Sequence, residues 1–372
     1  MNIAQSSSPA QLASVLTAAA DWCIVQGDSA EVLTEVPTAS VDICVTSPPY
    51  WSQRNYNNSS GLGNEASVQD YVSNLVQILR QVKRVLTPGG SLWLNLGDTY
   101  IKKQLVGVPW RVALALQDDG WILRNDVIWD KEKGAPDNAR DKLRNIYEHI
   151  FHLVKQPSYY YDVDAIRSAP GKPYFKNGRI VTATGVSGIK YERQIARSTH
   201  LTDGEKQAAL GALNDALERV KTGELPDFRM IIRGTQRFTH SDSADHSGRA
   251  QELKKKGYAI LPYHKNGAKP TDIWRILPED QWRKDKHYAV FPIELCELPI
   301  RSSCPPDGIV LDPFAGTGTA LLAALQLGRR AIGIDSSAEF VEYAHERITT
   351  FCTRQRQQAS SDQAQMVKFS IE

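Results

Sequence analysis

The chain is poor in the features that define several large protein classes. Its five cysteines (Cys23, Cys44, Cys296, Cys304, Cys352) are odd in number, scattered over 372 residues and never spaced C-x-x-C. That excludes a disulfide framework and offers no zinc-type spacing, so no metal is expected and the thiols read as those of a reducing cytoplasm. No apolar run approaches the roughly 18 residues of a transmembrane helix. Met1 to Ala10 lacks the charged-then-apolar pattern of a secretory signal. No self-similarity at a period of about 20–50 residues marks a repeat protein. Net charge is scarce as well: 44 Lys+Arg against 42 Asp+Glu leave +2.

That near-neutrality conceals a segregation. Residues 165–286 hold 23 basic and 14 acidic residues, a local +9, so the remainder carries −7. A basic block within an acidic frame is the distribution expected where one surface meets nucleic acid. The length suits about two domains.

Two segments alternate short apolar runs with amphipathic stretches. The first predicts strands at Cys23–Gln26, Val41–Val45, Ser91–Leu96, Ile122–Trp129 and Tyr147–Val154, with helices over Val68–Leu86 and Val108–Gln117. Pro88-Gly89-Gly90 reads as the stop of the first helix. The second predicts a helix over Pro292–Ile300, a strand Ile309–Leu311, a helix Ala320–Leu327, a strand Ala331–Ile334 and a helix Ala338–Thr349. This alternation indicates an α/β domain, a parallel sheet with helices on both faces. Between the two, residues 165–286 lose the rhythm and read as an inserted recognition region with one helical patch at Gly204–Lys221. The expected layout is therefore a flexible segment 1–20, a catalytic half 21–164, the insert 165–286, a cofactor half 287–354 and a polar tail 355–372.

Ile309-Val310-Leu311-Asp312-Pro313-Phe314-Ala315-Gly316-Thr317-Gly318 is a strand, a glycine turn and a helix start, where backbone can approach a ligand at a helix N-terminus. Asp335 lies 19 residues beyond Gly316 at the end of the next strand, the usual place for an acid that accepts from ribose hydroxyls. Gly318 is not followed by Lys-Ser/Thr, and position 321 is Leu, so neither triphosphate nor pyrophosphate is well served. An acid ahead of the turn suits a cationic ligand such as the amino group of S-adenosylmethionine.

Thr46-Ser47-Pro48-Pro49-Tyr50-Trp51 ends a buried strand, the edge where open α/β sheets place their sites. The prolines stiffen the loop, making the Ser47 hydroxyl and the Pro48 carbonyl fixed acceptors, while Tyr50 and Trp51 offer flat faces to a planar base. Two acceptors on the hydrogens of a base amino group would localise its lone pair for attack on a methyl sulfonium, with no covalent enzyme intermediate.

Together these loops resemble the beta group of DNA amino-methyltransferases, in which the catalytic loop precedes the recognition region and the cofactor loop follows it. Gly27-Asp28 is similar to the family's acidic element on the cofactor side, Arg84–Trp93 to its next helix, turn and strand, Arg124–Lys131 to the strand beside the target-base pocket, and His287–Pro292 to the segment over the methionine end of the cofactor. The resemblance implies a Rossmann-like, seven-stranded, mostly parallel sheet and an enzyme dependent on S-adenosylmethionine. It places Asp28, Phe291, Asp312, Pro313, Phe314, Ala315, Gly316, Gly318, Asp335 and Ser336 at the cofactor and Ser47, Pro48, Pro49, Tyr50 and Trp51 at the target. Ser ahead of Pro-Pro-Tyr leans to the N4 amino group of cytosine rather than N6 of adenine. Methylation at carbon 5 needs a Pro-Cys nucleophile, and no such dipeptide occurs.

The target base must leave the duplex stack to react. Arg229, Arg233, Arg237 and Arg249 are the candidate base readers and Lys254, Lys255 and Lys256 the phosphate contacts. The expected partners are double-stranded DNA and a restriction endonuclease of the same site, with the enzyme a monomer or homodimer in the cytoplasm of a bacterium, or of phage origin. An inactive DNA-binding relative, or an RNA or protein amide methyltransferase, shares parts of this pattern; the intact loops and the basic insert favour the DNA enzyme.

Overall fold

The computed structural model describes residues 8–52, 61–134, 138–169, 171–185, 187–234, 248–278 and 292–369. They form two compact units, one made of the two flanking segments and one of Ile166–Pro270.

The first unit is built on eight strands: β1 (Trp22–Gln26), β2 (Val41–Thr46), β3 (Leu86–Leu96), β4 (Ile122–Asp130), β5 (Tyr147–Val154), β6 (Ile273–Arg275), β7 (Ile309–Asp312) and β8 (Arg330–Asp335). They lie in the order β1-β8-β7-β2-β3-β5-β4-β6. All neighbours are parallel except at β5, which runs antiparallel to both β3 and β4. The strands are nearly continuous Val/Ile/Leu runs because both faces are covered. Helices α1 (Ser8–Leu16), α2 (Ser29–Glu35), α3 (Val68–Val85), α4 (Val108–Asp118), α5 (Glu294–Ser303), α6 (Thr319–Gln326) and α7 (Ala338–Phe369) supply that cover. In α3 the apolar positions Val68, Tyr71, Leu75, Leu79, Val82 and Val85 are buried on one stripe, and Ser67 caps the first turn through Asp70 N. The α2–α3–α4 side packs on Leu92, Leu94, Leu96 and Phe151, and the α5–α6–α7 side on Ile43, Val45, Trp93 and Val310.

The structure corrects several sequence expectations. Among the described residues the sheet has eight strands rather than seven, because Ile273–Arg275 adds to the free edge of β4. That strand lies inside the range 165–286 assigned to the insert, so the insert ends earlier on its C-terminal side. Pro88-Gly89-Gly90 does not separate α3 from the next strand: Leu86 is already extended and pairs with Val41, and β3 runs through the triplet with an irregular register against β2. Residues 8–16 are helical rather than a flexible segment, since Leu12 and Val15, one turn apart, are buried in the core. The tail continues α7 to Phe369, through a stretch with neither Pro nor Gly to stop it.

The second unit has its own core. A helix Asp203–Lys221, opened by a Thr202/Glu205 capping box, packs Leu213, Ala216 and Val220 against Phe228 and Ile232 of the antiparallel pair Phe228–Ile232 and Tyr258–Pro262. Helices Ile189–Arg197 and Gly248–Lys256 and a hairpin of Tyr174–Lys176 with Arg179–Val181 complete it. At its neck Ser168 N donates to Ala268 O at 2.9 Å and Arg167 Nη1 to Gly267 O at 2.9 Å.

Candidate active site

The central parallel strands β8, β7, β2 and β3 end at one edge, and the two loops singled out in the sequence leave from adjacent strands there. Asp312, last in β7, is 1% exposed and accepts from Phe314 N at 3.1 Å and from Thr46 Oγ1 of β2 at 2.6 Å. Burial dominates over these two donors and pushes its carboxyl up to about 7. The turn that follows is set by glycine: Gly316 and Gly318 have φ of +49° and +76°, and a Cβ on Gly318 would come within 3.0 Å of Ala344 Cβ in α7. Gly318 N-caps α6, and Arg347 of α7 holds the turn from outside by donating to Thr317 O and Thr319 Oγ1, both at 3.0 Å.

Asp335, at the end of β8, closes the same cradle. Its Oδ2 accepts from Gly316 N at 2.7 Å and its Oδ1 from Ser337 N at 2.9 Å, leaving further lone pairs on both oxygens for hydroxyl donors. Burial raises its pKa as well. Gly27 N donates to Asp335 O, and Ser29 Oγ donates to Pro313 O, so the β1 loop is stitched to the turn. Asp28 is exposed and caps α2 through Ala30 N at 2.7 Å. Ala315 and Pro313 are buried, Phe314 is half-buried and Ser336 is exposed. Phe291 lies outside the described residues. A glycine turn open to backbone approach, a diol acceptor at Asp335 and a buried acid at Asp312 fit an adenosine that carries a cationic chain.

In the catalytic loop, Tyr71 Oη donates to Pro49 O at 3.0 Å and Trp51 Nε1 donates to Glu65 O at 2.9 Å, so both ends of the Pro-Pro-Tyr-Trp turn are anchored. Tyr50 is half-buried, with its ring on Gly97, where a Cβ would meet Tyr50 Cε2 at 2.7 Å. Its hydroxyl points inward: it accepts from Ser47 Oγ at 3.1 Å and from Asn95 Nδ2 at 3.0 Å, and donates to Glu148 Oε2 at 2.7 Å. Glu148 also accepts from Asn95 Nδ2 at 2.8 Å and, through Oε1, from Lys131 Nζ at 2.5 Å. Burial, with the Glu148 carboxylate beside it, holds the phenol well above its ordinary pKa. Among the described residues Asn95 Oδ1 is buried without a partner, a cost of the kind that collects at functional sites.

Sequence reasoning missed Asn95 and Glu148 and met Lys131 only as one residue of a resembling segment. The available signal was a lone Asn in Ser91-Leu-Trp-Leu-Asn95-Leu96 and a lone Glu at the start of an apolar strand.

In the second unit, Arg229 is exposed on its strand, whereas Arg233 is spent internally on His200 O, at 2.6 Å, and on Glu205 Oε2, at 2.7 Å. The expected reader Arg233 is thus a brace for the Thr202 cap. Lys254, Lys255 and Lys256 form the exposed last turn of their helix, with Lys256 paired to Glu252. Arg237 lies outside the described residues, as does the side chain of Arg249. Arg193 and Arg197, which the sequence did not single out, are exposed one turn apart on their helix.

Residues 41–346 match the model of the N6_N4_Mtase family, described as DNA methylase. The chain is 31% identical over 378 residues to the Type II methyltransferase M.SfiI of Streptomyces fimbriatus, covering 86% of this chain and 89% of the relative. It is 27% identical over 354 residues to the Type II methyltransferase M.SmaI of Serratia marcescens, covering 87% and 90%. Among solved structures it resembles the PvuII DNA methyltransferase (cytosine-N4-specific), with a TM-score of 0.53, 17% identity and coverage of 90% and 92% of the two chains.

Proposed function

The chain belongs to the N6_N4_Mtase family of DNA methylases and takes S-adenosylmethionine as its cofactor, and on that premise we propose that it methylates the N4 amino group of cytosine flipped out of duplex DNA. The observation that carries the proposal is the adjacency of two loops: Ser47-Pro48-Pro49-Tyr50 and Asp312–Gly318 leave neighbouring parallel strands, joined at their last residues by Thr46 and Asp312.

Asp335 would hold the ribose, Gly316 and Gly318 would admit the adenosine against backbone, and Asp312 would face the cationic amino acid end. When bound, the cofactor supplies an electrophilic methyl group on a sulfonium. Ser47 Oγ and the Pro48 carbonyl would accept the two amine hydrogens, drawing the nitrogen toward tetrahedral and freeing its lone pair. The exposed part of the Tyr50 ring and the Trp51 face would stack the base. Serine at position 47 supports cytosine over adenine, as does the cytosine-N4-specific activity in the name of a structural neighbour. The inserted unit, with Arg193, Arg197, Arg229 and Lys254–Lys256 exposed, would read and grip the duplex. The Type II relatives support a modification role beside a cytoplasmic restriction endonuclease of the same site.

The test is nucleoside mass spectrometry of duplex DNA methylated by the purified protein. N4-methylcytosine is expected; N6-methyladenine would overturn the base assignment, and modified RNA without modified DNA would overturn the substrate.

A further inference from the structure

The Ser47 hydroxyl accepts a long hydrogen bond from Asn95 Nδ2, at 3.5 Å, and sends its own proton in one direction. The Ser47 proton goes to Tyr50 Oη, the Tyr50 proton goes to Glu148 Oε2, and Glu148 is anchored by Lys131 and Asn95. Tyr50 Oη therefore accepts twice and donates once, which fills the capacity of a phenol and leaves no alternative rotor for its proton. None of this is needed to hold the loop, whose backbone is already fixed through Tyr71, Glu65 and Gly63. What the chain Ser47–Tyr50–Glu148 does control is the Ser47 oxygen. With its own proton turned inward and Asn95 Nδ2 on one side, it shows a base amine a lone pair and no proton. A hydrogen bond donated toward an anion also makes that oxygen a stronger acceptor.

We propose that Ser47, Tyr50 and Glu148 form a proton relay that carries away the proton released by methyl transfer. The proposal rests on the amino-methyltransferase reading above and deepens it. As the amine nitrogen bonds to the methyl carbon, the carbon–sulfur bond breaks and its electron pair stays on sulfur, which becomes a neutral thioether. The nitrogen is left cationic with one hydrogen in excess. That proton passes to Ser47 Oγ, the Ser47 proton moves to Tyr50 Oη, and the Tyr50 proton ends on Glu148 Oε2. Charge is conserved: one cation disappears at nitrogen and one carboxylate becomes neutral beside Lys131, which then remains as the cation of the network. Asn95 is a positioning residue, tying Tyr50 and Glu148 together from β3. Glu148 reaches the substrate only through two hydroxyls.

The experiment is a single-turnover assay with radiolabelled S-adenosylmethionine and duplex DNA. It compares the wild type with Tyr50→Phe, Glu148→Gln and the double variant. Each single variant is expected to slow transfer at least tenfold while dissociation constants for cofactor and duplex stay within twofold. The double variant is expected to be no slower than the slower single one, because both changes cut the same chain. Tyr50→Phe at the wild-type rate, or a double loss equal to the product of the single losses, overturns the relay. Since Glu148→Gln leaves Lys131 without its counter-charge, a second cycle of Ser47→Ala with Tyr50→Phe, which removes only two oxygens, decides the question if that variant does not fold. The methylated nucleoside made by the wild type is identified in the same reactions. A product other than methylcytosine overturns the base assignment and leaves the variant ratios to judge the relay.

Discussion

Thr46 Oγ1 donates a 2.6 Å hydrogen bond to Asp312 Oδ1, joining two residues 266 positions apart in the chain. The bond closes the sheet edge between β2 and β7 just where the loops Ser47–Trp51 and Pro313–Gly318 begin. Under the proposed function it also sets the spacing of target and cofactor, and spacing is most of what methyl transfer asks of a protein.

Asp335→Ala should separate binding from chemistry. It removes the acceptor for Gly316 N and Ser337 N and for the ribose hydroxyls. At about 1.5–3 kcal/mol for a charge-assisted bond, cofactor affinity should fall roughly tenfold to a hundredfold. Calorimetric titration with S-adenosylmethionine checks this, with duplex binding as the control that should not move.

Ser47→Ala should leave both dissociation constants in place and lower the single-turnover rate on the order of a hundredfold, the cost of losing one aligned polar group at a reacting centre. Equal losses in binding and rate would argue instead for a collapsed loop.

Gly97→Ala tests the seat of Tyr50. The new Cβ would meet Tyr50 Cε2 at 2.7 Å, so the ring must tilt off Gly97 and its hydroxyl must leave Asn95 and Glu148. Methyl transfer should fall at least tenfold while cofactor affinity, set on the other loop, is retained.

Asp312→Asn should trade function for stability. The carboxyl titrates near 7 in the folded protein against 3.8 as its ordinary value. The unfolded chain therefore gives up this proton first as pH rises, and stability is lost between about pH 4 and pH 7. Above that window the buried charge costs roughly 4 kcal/mol. Asparagine keeps an acceptor for Thr46 and Phe314, so Tm should rise at pH 8, with the gain shrinking toward pH 4. His152 acts oppositely, because burial holds its imidazole near 3 and stability falls as pH drops below 6.5. In the variant that acid-side loss should stand out in thermal melts. Cofactor affinity of the wild type should increase from pH 6 to pH 8, and the variant should lose that dependence.

Arg233→Ala should loosen the inserted unit without altering its DNA preference. The side chain ties His200 and Glu205 at the start of the helix Asp203–Lys221. Its loss should loosen that end of the helix, visible as faster amide exchange there. Arg229→Ala, on an exposed side chain, should weaken duplex binding and spare exchange.

The two loops were legible in the sequence because their chemistry is written in local residues: prolines that stiffen Ser47–Tyr50, glycines that permit positive φ at 316 and 318, and an acid ending the next strand. Asn95 and Glu148 were not legible, because a single polar residue in an apolar strand gains its meaning from neighbours on other strands. The three-residue strand Ile273–Arg275 is too short to show a period of two, and its place is set by the open edge of β4. Arg233 looked like its neighbours until its guanidinium was seen folded back on the Thr202 cap. Composition located the basic region but could not say which of its cations were already spent.

The bond pair at Ser168–Ala268 and Arg167–Gly267 has a consequence for heredity. It draws the entry and exit of a stretch of about a hundred residues to one point, so what lies between is a cassette whose loop-closure cost is already met. An exchange of residues 169–266 leaves both bonds and every strand of the main sheet in place. Under the proposed reading of this unit as the duplex reader, new sequence preferences can be acquired by exchange while the main sheet is inherited unaltered.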